Sequence, residues 1–218
     1  MSYDTRSDPY LLLLDLISKI LEETSKQSPR KYSKLIAEES RKLNGVVKTL
    51  RFSYLPPGEM SSQGLLEPIK RIAETLNPLV GDKEFERYPL ALANLRFAVR
   101  YMRDPEDRIG RRGSIASPLD AVWVEVLNAK KLGGNLLGTK VGGGGERFDV
   151  ATNMSVKRGD FMLLCLLPPK KFGSFVSEGM FVDGPVKEKR SGLVRLSGRP
   201  LRNAEAALRE FLREMNVS

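Results

Sequence analysis

The spacing of apolar residues changes along the chain from a helical period to a strand period, and this change restricts the possible folds more than any other feature. Before residue 103, apolar side chains recur every three or four positions, as along one face of a helix. From Val122 onward they alternate with other residues or form short continuous runs, as in strands. We therefore predict an α+β protein of two domains, with a helical bundle at residues 1–103, a linker at 104–118 and a β domain at 119–218.

Proline residues mark the starts of the predicted helices. Asp8 is placed to cap a first helix that begins at Pro9, and Pro29 gives a similar start signal for the second helix. Another helix begins near Pro89, and residues 90–102 are apolar on nearly all sides. Such a helix is buried either in its own domain or against a second subunit. A homodimer is therefore one expectation.

Residues 104–118 differ in composition from the segments on both sides. Acidic residues at 104–107 are followed by a basic stretch with two glycines at 108–114. This composition is typical of a flexible linker exposed to solvent, which we favour over an arm that contacts RNA.

Five short strands are predicted in the second half, at residues 122–127, 135–141, 147–151, 161–167 and 179–182. Pro168 and Pro169 are expected to end the fourth strand, because proline cannot donate a ladder hydrogen bond. The four glycines at 142–145 are predicted to form a hairpin tip. A phosphate-binding loop is rejected because no Gly-Lys-Ser or Gly-Lys-Thr follows them. Five strands fit the OB-fold, a partly open barrel, and a C-terminal helix is predicted from about Pro200.

The composition favours a binding protein with an anionic partner. Lys and Arg number 36 against 27 Asp and Glu, which gives a net charge of +9. Such a balance is typical of proteins that bind nucleic acid, an anionic membrane surface or an acidic protein, and a basic protein without such a partner is the alternative. The chain has no histidine and one cysteine, which excludes Ser-His and Cys-His catalysis and His-ligated metal sites. We expect no enzymatic activity, no cofactor and no metal.

The single cysteine and the N-terminus predict the compartment. Cys165 lies inside an apolar run, where it is expected to be a small buried hydrophobe, and it cannot form an intramolecular disulfide. Residues 1–8 lack the order of a signal peptide, and the apolar block at 11–14 is too short to cross a bilayer. We expect a soluble, cytoplasmic protein without membrane association.

The segment 166–180 reads Leu-Leu-Pro-Pro-Lys-Lys-Phe-Gly-Ser-Phe-Val-Ser-Glu-Gly-Met. It resembles the tRNA-binding domain found at the C-terminus of some methionyl-tRNA synthetases, in synthetase-associated cytokine precursors and in small free-standing tRNA-binding proteins. That family has a pattern close to Asn-Leu-Lys-Pro-Arg-Lys-Leu-Arg-Gly-Val-x-Ser-x-Gly-Met here. The matching residues are Leu167, Pro169, Lys171, Ser177, Gly179 and Met180. The departures are Leu166 for Asn, Pro168 for Lys and Ser174 for Gly.

Residues 128–132, Asn-Ala-Lys-Lys-Leu, are similar to the family's Asn-Ala-Asp-Lys-Leu turn after the first strand. Lys130 replaces the family Asp, and Val126-Leu127 stands where the family has His-Pro. The resemblance covers about residues 119–183. It implies an OB-fold that binds tRNA, and it extends to no residue of the helical part.

The predicted RNA interface consists of basic and polar residues in predicted turns. Turn lysines contact phosphates, Asn153, Ser177 and Glu178 would bond exposed nucleotides, and Met180 or Phe175 would provide a stacking surface. The alternative for 177–180 is a tight bend in which Ser and Glu bond the backbone and Met packs inside. The candidate residues are Asn128, Lys130, Lys131, Asn153, Lys157, Arg158, Lys170, Lys171, Ser177, Glu178 and Met180.

These observations lead to one functional expectation and one alternative. The first is a non-catalytic protein that recognises tRNA or other structured RNA through a basic OB-fold rim, alone or as an accessory to an aminoacyl-tRNA synthetase. The alternative is a chaperone-like or protein-interaction module that uses the apolar faces of its helical domain.

Overall fold

The computed structural model describes residues 4–217, so positions 1–3 and 218 of the predicted domains lie outside the described part. The chain forms two compact units, Met1–Pro118 with Glu210–Ser218, and Leu119–Arg209. The first unit contains five α-helices in its described residues, and the second contains an antiparallel sheet followed by a helix. The predicted α+β class with an N-terminal helical part is therefore confirmed.

The helical unit is built from α1 (Pro9–Lys26), α2 (Arg30–Arg51), α3 (Pro57–Ser62), α4 (Glu67–Val80) and α5 (Pro89–Arg103), with 3-10 turns at Thr5–Ser7 and Lys83–Arg87. The predicted start of α1 is confirmed. Its cap Asp8 accepts hydrogen bonds from the N–H groups of Tyr10 and Leu11, at 2.9 and 3.2 Å. Pro9 and Pro89 each occupy the first turn of a helix. A backbone N–H in that turn has no acceptor within the helix, so the lack of an N–H in proline removes no helical hydrogen bond.

The helix α5 is buried within its own unit, as its pattern of apolar residues predicts. Ala91, Leu95, Ala98 and Met102 are among its buried residues. The buried hydroxyl of Tyr10 donates a 2.8 Å hydrogen bond to the carbonyl oxygen of Tyr101, which ties α1 to α5. Burial raises the pKa of the Tyr10 phenol. Because the unit itself covers α5, the apolar pattern alone does not require a second subunit.

Residues 104–118 group with the helical unit and contain buried side chains, which differs from the exposed linker that their composition indicates. Arg108 is 6% exposed, and its guanidinium lies 4.6 Å from the centre of the Tyr101 ring. Its Nη1 donates a 2.6 Å hydrogen bond to the Pro118 carbonyl oxygen. The N–H of Gly110 donates to Asp8 Oδ2 at 3.0 Å. These contacts explain why a charged segment packs here.

The second unit contains the predicted strands in the predicted order. They are β1 (Ala121–Gly133), β2 (Leu136–Gly143), β3 (Glu146–Thr152), β4 (Phe161–Phe172), β5 (Phe175–Val186) and the short β6 (Leu193–Val194). The helix α6 (Gly198–Glu214) comes next along the chain, and its residues up to Arg209 belong to this unit. The ladder order is β3-β2-β1-β4-β5, and β6 pairs with β1. Gly144 and Gly145 join β2 to β3 with positive φ angles of 60° and 83°, as the predicted hairpin tip requires.

The sheet closes around one apolar core, as expected for the predicted five-stranded barrel. Val124, Val141, Val150, Leu164 and Phe181 are among the buried side chains of this core, so β1 to β5 all contribute. The strands β3 and β5, at the two ends of the ladder order, lie beside each other. The result is the OB-fold architecture, in which a single sheet curls until its edges meet.

The prediction that Pro168 and Pro169 end the fourth strand is wrong. The strand β4 continues to Phe172, and its register against β5 shifts between the pairs Leu166–Gly179 and Lys170–Ser177. Three residues of β4 therefore face one residue of β5 at this shift, as in a β-bulge. The two prolines, which cannot donate a ladder hydrogen bond, lie inside this bulge.

The helix α6 begins at Gly198, close to its predicted start, and Ala204 and Leu208 are buried. The side-chain amide of Asn203 donates a hydrogen bond to the Val182 carbonyl oxygen at 3.4 Å, which places the helix beside β5. Within residues 4–217, no helix combines the length and the apolar character needed to cross a bilayer.

We expect the substitution Asp8→Ala to lower the free energy of unfolding by about 2 kcal/mol. Asp8 is 2% exposed, and the change removes both the cap of α1 and the acceptor for the Gly110 N–H. Urea denaturation followed by far-UV circular dichroism measures the effect. In the control Asp4→Ala, an exposed cap of a three-residue 3-10 turn is lost, and the change should stay below about 0.5 kcal/mol. Equal effects of the two substitutions would contradict this role of Asp8.

Candidate nucleic-acid interface

The hairpin of β1 and β2 presents polar residues on the outer face of the barrel. Ala129 packs against the core and Val141 belongs to it, so their sequence neighbours Asn128, Lys130 and Lys140 point outward by strand alternation. Asn128 pairs with Lys140 in the ladder, and Lys130 pairs with Gly138. All three polar side chains are exposed. The residues 128–132, predicted as a turn, therefore belong to β1.

The hairpin of β4 and β5 carries the second pair of lysines. Lys170 pairs with Ser177 and Lys171 with Val176, and Gly173 supplies the positive φ angle of 62° at the tip. The two lysines lie in the strand and not in the turn that the sequence predicts. Lys171 is exposed and Lys170 is half-buried. The ladder beside them ends in a pair of half-buried aromatic residues, Phe172 opposite Phe175.

The ends of these two hairpins meet over Gly138 of β2. A β-carbon at Gly138 would lie 2.9 Å from Phe175 Cε2 and 3.0 Å from Leu132 Cδ2, so the two side chains cover this glycine from different hairpins. The contact follows from barrel closure, because Gly138 pairs with Ala151 of β3, and β3 lies beside β5. We name the ends of these two hairpins the hairpin rim. It consists of Lys130, Lys131, Leu132, Lys170, Lys171, Phe172 and Phe175.

The hairpin rim combines cationic side chains with half-buried aromatic rings. Lysine ammonium groups contact phosphates without reading bases. Aromatic rings provide a surface on which an unpaired base can stack. Sequence reasoning missed Lys140, which lies diagonally across the ladder from Lys130 at roughly 7–8 Å. The strand register, which no local motif reveals, is the signal that places it. Asp149, its direct neighbour on β3, reduces the local positive charge.

Ser177 and Glu178 join β5 to β3, and they lie within β5 and not in the tight bend that is the alternative for residues 177–180. Ser177 is 4% exposed, and its Oγ accepts a 2.9 Å hydrogen bond from the Ala151 N–H. The same hydroxyl donates to the Gly179 carbonyl oxygen at 2.9 Å. Glu178 Oε2 accepts from the Asp149 N–H at 3.1 Å. Both side chains therefore bond the backbone, as the structural alternative predicts, but they do so from within a strand.

Gly179 and Met180 also have structural surroundings. A β-carbon at Gly179 would overlap the carbonyl oxygen of Cys165, so the closeness of β4 to β5 requires glycine there. Met180 pairs with Cys165 and is half-buried. The adjacent ladder pair, Leu164 and Phe181, belongs to the core, so Met180 lies on the outer face. Cys165 is fully buried, as predicted, and burial raises the pKa of its thiol.

The remaining candidates lie between β3 and β4. Asn153 follows the end of β3 and is exposed. Lys157 and Arg158 are exposed in a turn held by Asp160, which accepts a hydrogen bond from the Lys157 N–H at 2.8 Å. The Asp160 carbonyl oxygen accepts from the Val126 N–H at 2.8 Å, so this turn is attached to the middle of β1 and not to its hairpin end.

Comparisons of the chain with models of known protein families and with curated proteins find no match. The relation to tRNA-binding domains therefore stays a prediction.

We expect Ser177→Ala to destabilise the β unit by about 2 kcal/mol, because it leaves the Ala151 N–H and the Gly179 carbonyl oxygen without their buried partner. Trp123, the one tryptophan in the chain, lies in β1 and reports unfolding of this unit by fluorescence. Ser174→Ala, at the exposed hairpin tip, is the control and should have an effect below about 0.5 kcal/mol. A Ser177→Ala protein as stable as this control would contradict this role of Ser177 in joining β5 to β3.

The stability of the β3–β4 turn should depend on pH through Asp160. The Lys187 ammonium, hydrogen-bonded to Asp160, and the Lys157 N–H hold the pKa of this carboxyl below its usual value. Because the folded pKa is depressed, the stabilisation is complete above the unfolded pKa of about 3.9 and is lost as the pH falls through the folded pKa. The substitution Asp160→Asn should therefore lower stability at pH 7 and weaken its decline in acid, measured by urea denaturation at each pH. Asp183→Asn, at an exposed position, is the control and should change stability at pH 7 by less than about 0.5 kcal/mol.

Proposed function

We propose that the chain is a non-catalytic protein that binds tRNA or another structured RNA through the hairpin rim. The observation that carries this proposal is the meeting of two lysine-bearing hairpins over Gly138, with Leu132 and Phe175 between them. In OB-fold proteins the loops that correspond to these hairpins, together with the adjacent barrel face, bind oligonucleotides. The resemblance of residues 166–180 to a tRNA-binding domain supports the same class of ligand.

The chemistry of the rim favours recognition of RNA shape over RNA sequence. Its lysines are flexible point charges suited to phosphates, and the aromatic pair can stack on an unpaired base of a loop. Ser177 and Glu178 bond the backbone of β3, so the residues offered to RNA are those of the hairpin ends and the outer face of β1–β2. A folded RNA with exposed loop bases fits this surface better than a uniform duplex.

A role beside an aminoacyl-tRNA synthetase in the cytoplasm, and a homodimer, are further parts of this proposal. The net charge of +9 supports capture of tRNA from solution. Such a protein would raise the local concentration of tRNA for its partner without performing a reaction.

The experiment is a fluorescence titration of labelled tRNA with the full chain at several salt concentrations. About four phosphate contacts predict a slope of roughly −3 for the logarithm of affinity against that of salt concentration. The double substitution Lys170→Glu and Lys171→Glu should weaken binding by about a hundredfold and flatten the slope, because phosphate contacts are lost.

The matched control is Lys34→Glu with Lys48→Glu, which changes the net charge equally at two exposed positions of α2. This control should bind tRNA within a few-fold of the wild-type affinity, because it changes only the overall charge of the protein. Equal losses in both double variants, or no binding of wild type at low salt, would contradict the proposal. Peptide or protein binding that survives the Lys170 and Lys171 changes and is indifferent to salt would support the chaperone-like alternative instead.

A further inference from the structure

The helical unit contains a groove between α2 and α4 with a volume of about 630 Å³. Its floor is apolar and includes Val46 and Leu50 of α2, Ile72 of α4 and Leu65 just before α4. The lining positions on α2 recur every three or four residues from 39 to 50, which corresponds to three turns and a length of about 16 Å. A groove of this length suits the apolar face of a second helix laid into it.

Gly45 opens this groove to the backbone of α2. It lies in the interior of a 22-residue helix, where glycine is unfavourable relative to alanine. Within residues 4–217, a β-carbon at Gly45 would have no atom within 4 Å other than its own stretch of helix backbone, so no packing contact among them requires glycine here. Thr49, one turn further, also lines the groove. Small residues one turn apart let the backbone of another helix approach closely.

The charges around the groove select an acidic occupant. Arg41 and Arg71 are exposed on its two sides, one from each helix. The third cation, Lys42, is paired with the buried carboxylate of Glu39 at 2.6 Å, and this hydrogen bond raises the pKa of Lys42. Arg41 Nε donates a 3.2 Å hydrogen bond to the Ala37 carbonyl oxygen, and neither Arg41 nor Arg71 forms an ion pair within residues 4–217, so both charges are available to a partner. A second copy of this chain, itself at +9, is electrostatically disfavoured there.

We propose that this groove binds an amphipathic helix of another protein that carries acidic residues beside its apolar stripe. The apolar stripe would cover Val46, Leu65 and Ile72, its closest approach would be at Gly45, and its carboxylates would lie beside Arg41 and Arg71. This site does not rest on RNA binding by the hairpin rim, which belongs to the other unit.

Fluorescence anisotropy with two designed probes tests the site on the full chain. Both are labelled 18-residue helical peptides with the same Leu and Ile stripe, and the flanking positions are Glu in one and Lys in the other. We expect saturable binding of the Glu peptide and affinity at least about tenfold lower for the Lys peptide. Equal affinity for both peptides, or no saturable binding of the Glu peptide, would overturn the proposal.

Two variants locate the binding in the groove. Gly45→Leu fills the site of closest approach and should weaken binding of the Glu peptide by at least about tenfold, while thermal unfolding shows that the fold is unchanged. Arg41→Glu with Arg71→Glu should lower affinity similarly and reduce the preference for the Glu peptide. Lys34→Glu with Lys48→Glu changes the net charge equally at two exposed positions of α2 that do not line the groove, so this double variant is the matched control and should bind within about twofold of wild type.

Sedimentation analysis gives a further test. In the wild-type protein the groove should stay accessible, so the Glu peptide should bind at every protein concentration. Dimerisation that is abolished by Gly45→Leu and competes with the peptide would show that a second copy occupies the groove, and it would overturn the proposal. Since these titrations contain no RNA, failure of the tRNA experiment would leave their outcome unaffected.

Discussion

The β unit depends on two hydrogen bonds in which side chains of β5 accept from backbone N–H groups of β3. In the described residues, β3 and β5 are the two ends of the ladder order, and no backbone ladder joins one to the other although they lie side by side. The N–H groups of Asp149 and Ala151 on β3 face β5 and therefore need acceptors other than ladder carbonyl groups. Glu178 and Ser177 supply the acceptors. An unpaired buried N–H would cost about 1–3 kcal/mol. The closed barrel, and with it the meeting of the hairpin ends over Gly138, rests on these contacts.

This constraint changes the interpretation of the motif that resembles tRNA-binding domains. Ser177 and Glu178 join two strands, and Gly179 permits the backbone of β4 to approach closely. These roles belong to the fold, so the motif indicates a barrel more directly than it indicates a ligand. The surface available to RNA lies on the flanking hairpin ends. The helical unit adds a separate groove with an apolar floor and two arginines, so each unit offers a different cationic surface.

Local signals predicted the order and type of the elements well. Asp8 with Pro9 predicted the start of α1, and paired glycines predicted the tip between β2 and β3, because both act through the geometry of neighbouring residues. Local signals failed where tertiary contacts decide. A bulge carries Pro168 and Pro169 within β4, and burial against Tyr101 orders Arg108 in a segment whose composition is that of a linker. The same limit applied to the candidate site, because only the strand register places Lys140 near Lys130.

Ultraviolet crosslinking of tRNA to the full chain, followed by mass spectrometry of the modified peptides, tests the central claim most directly. If RNA binds through the hairpin rim, we expect crosslinks at Phe172 or Phe175 and at the lysines of the hairpin rim. We expect no crosslinks at Ser177, which is buried and bonded to the backbone. Crosslinks confined to the turn at Lys157 and Arg158, or to the helical unit, would contradict binding through the hairpin rim.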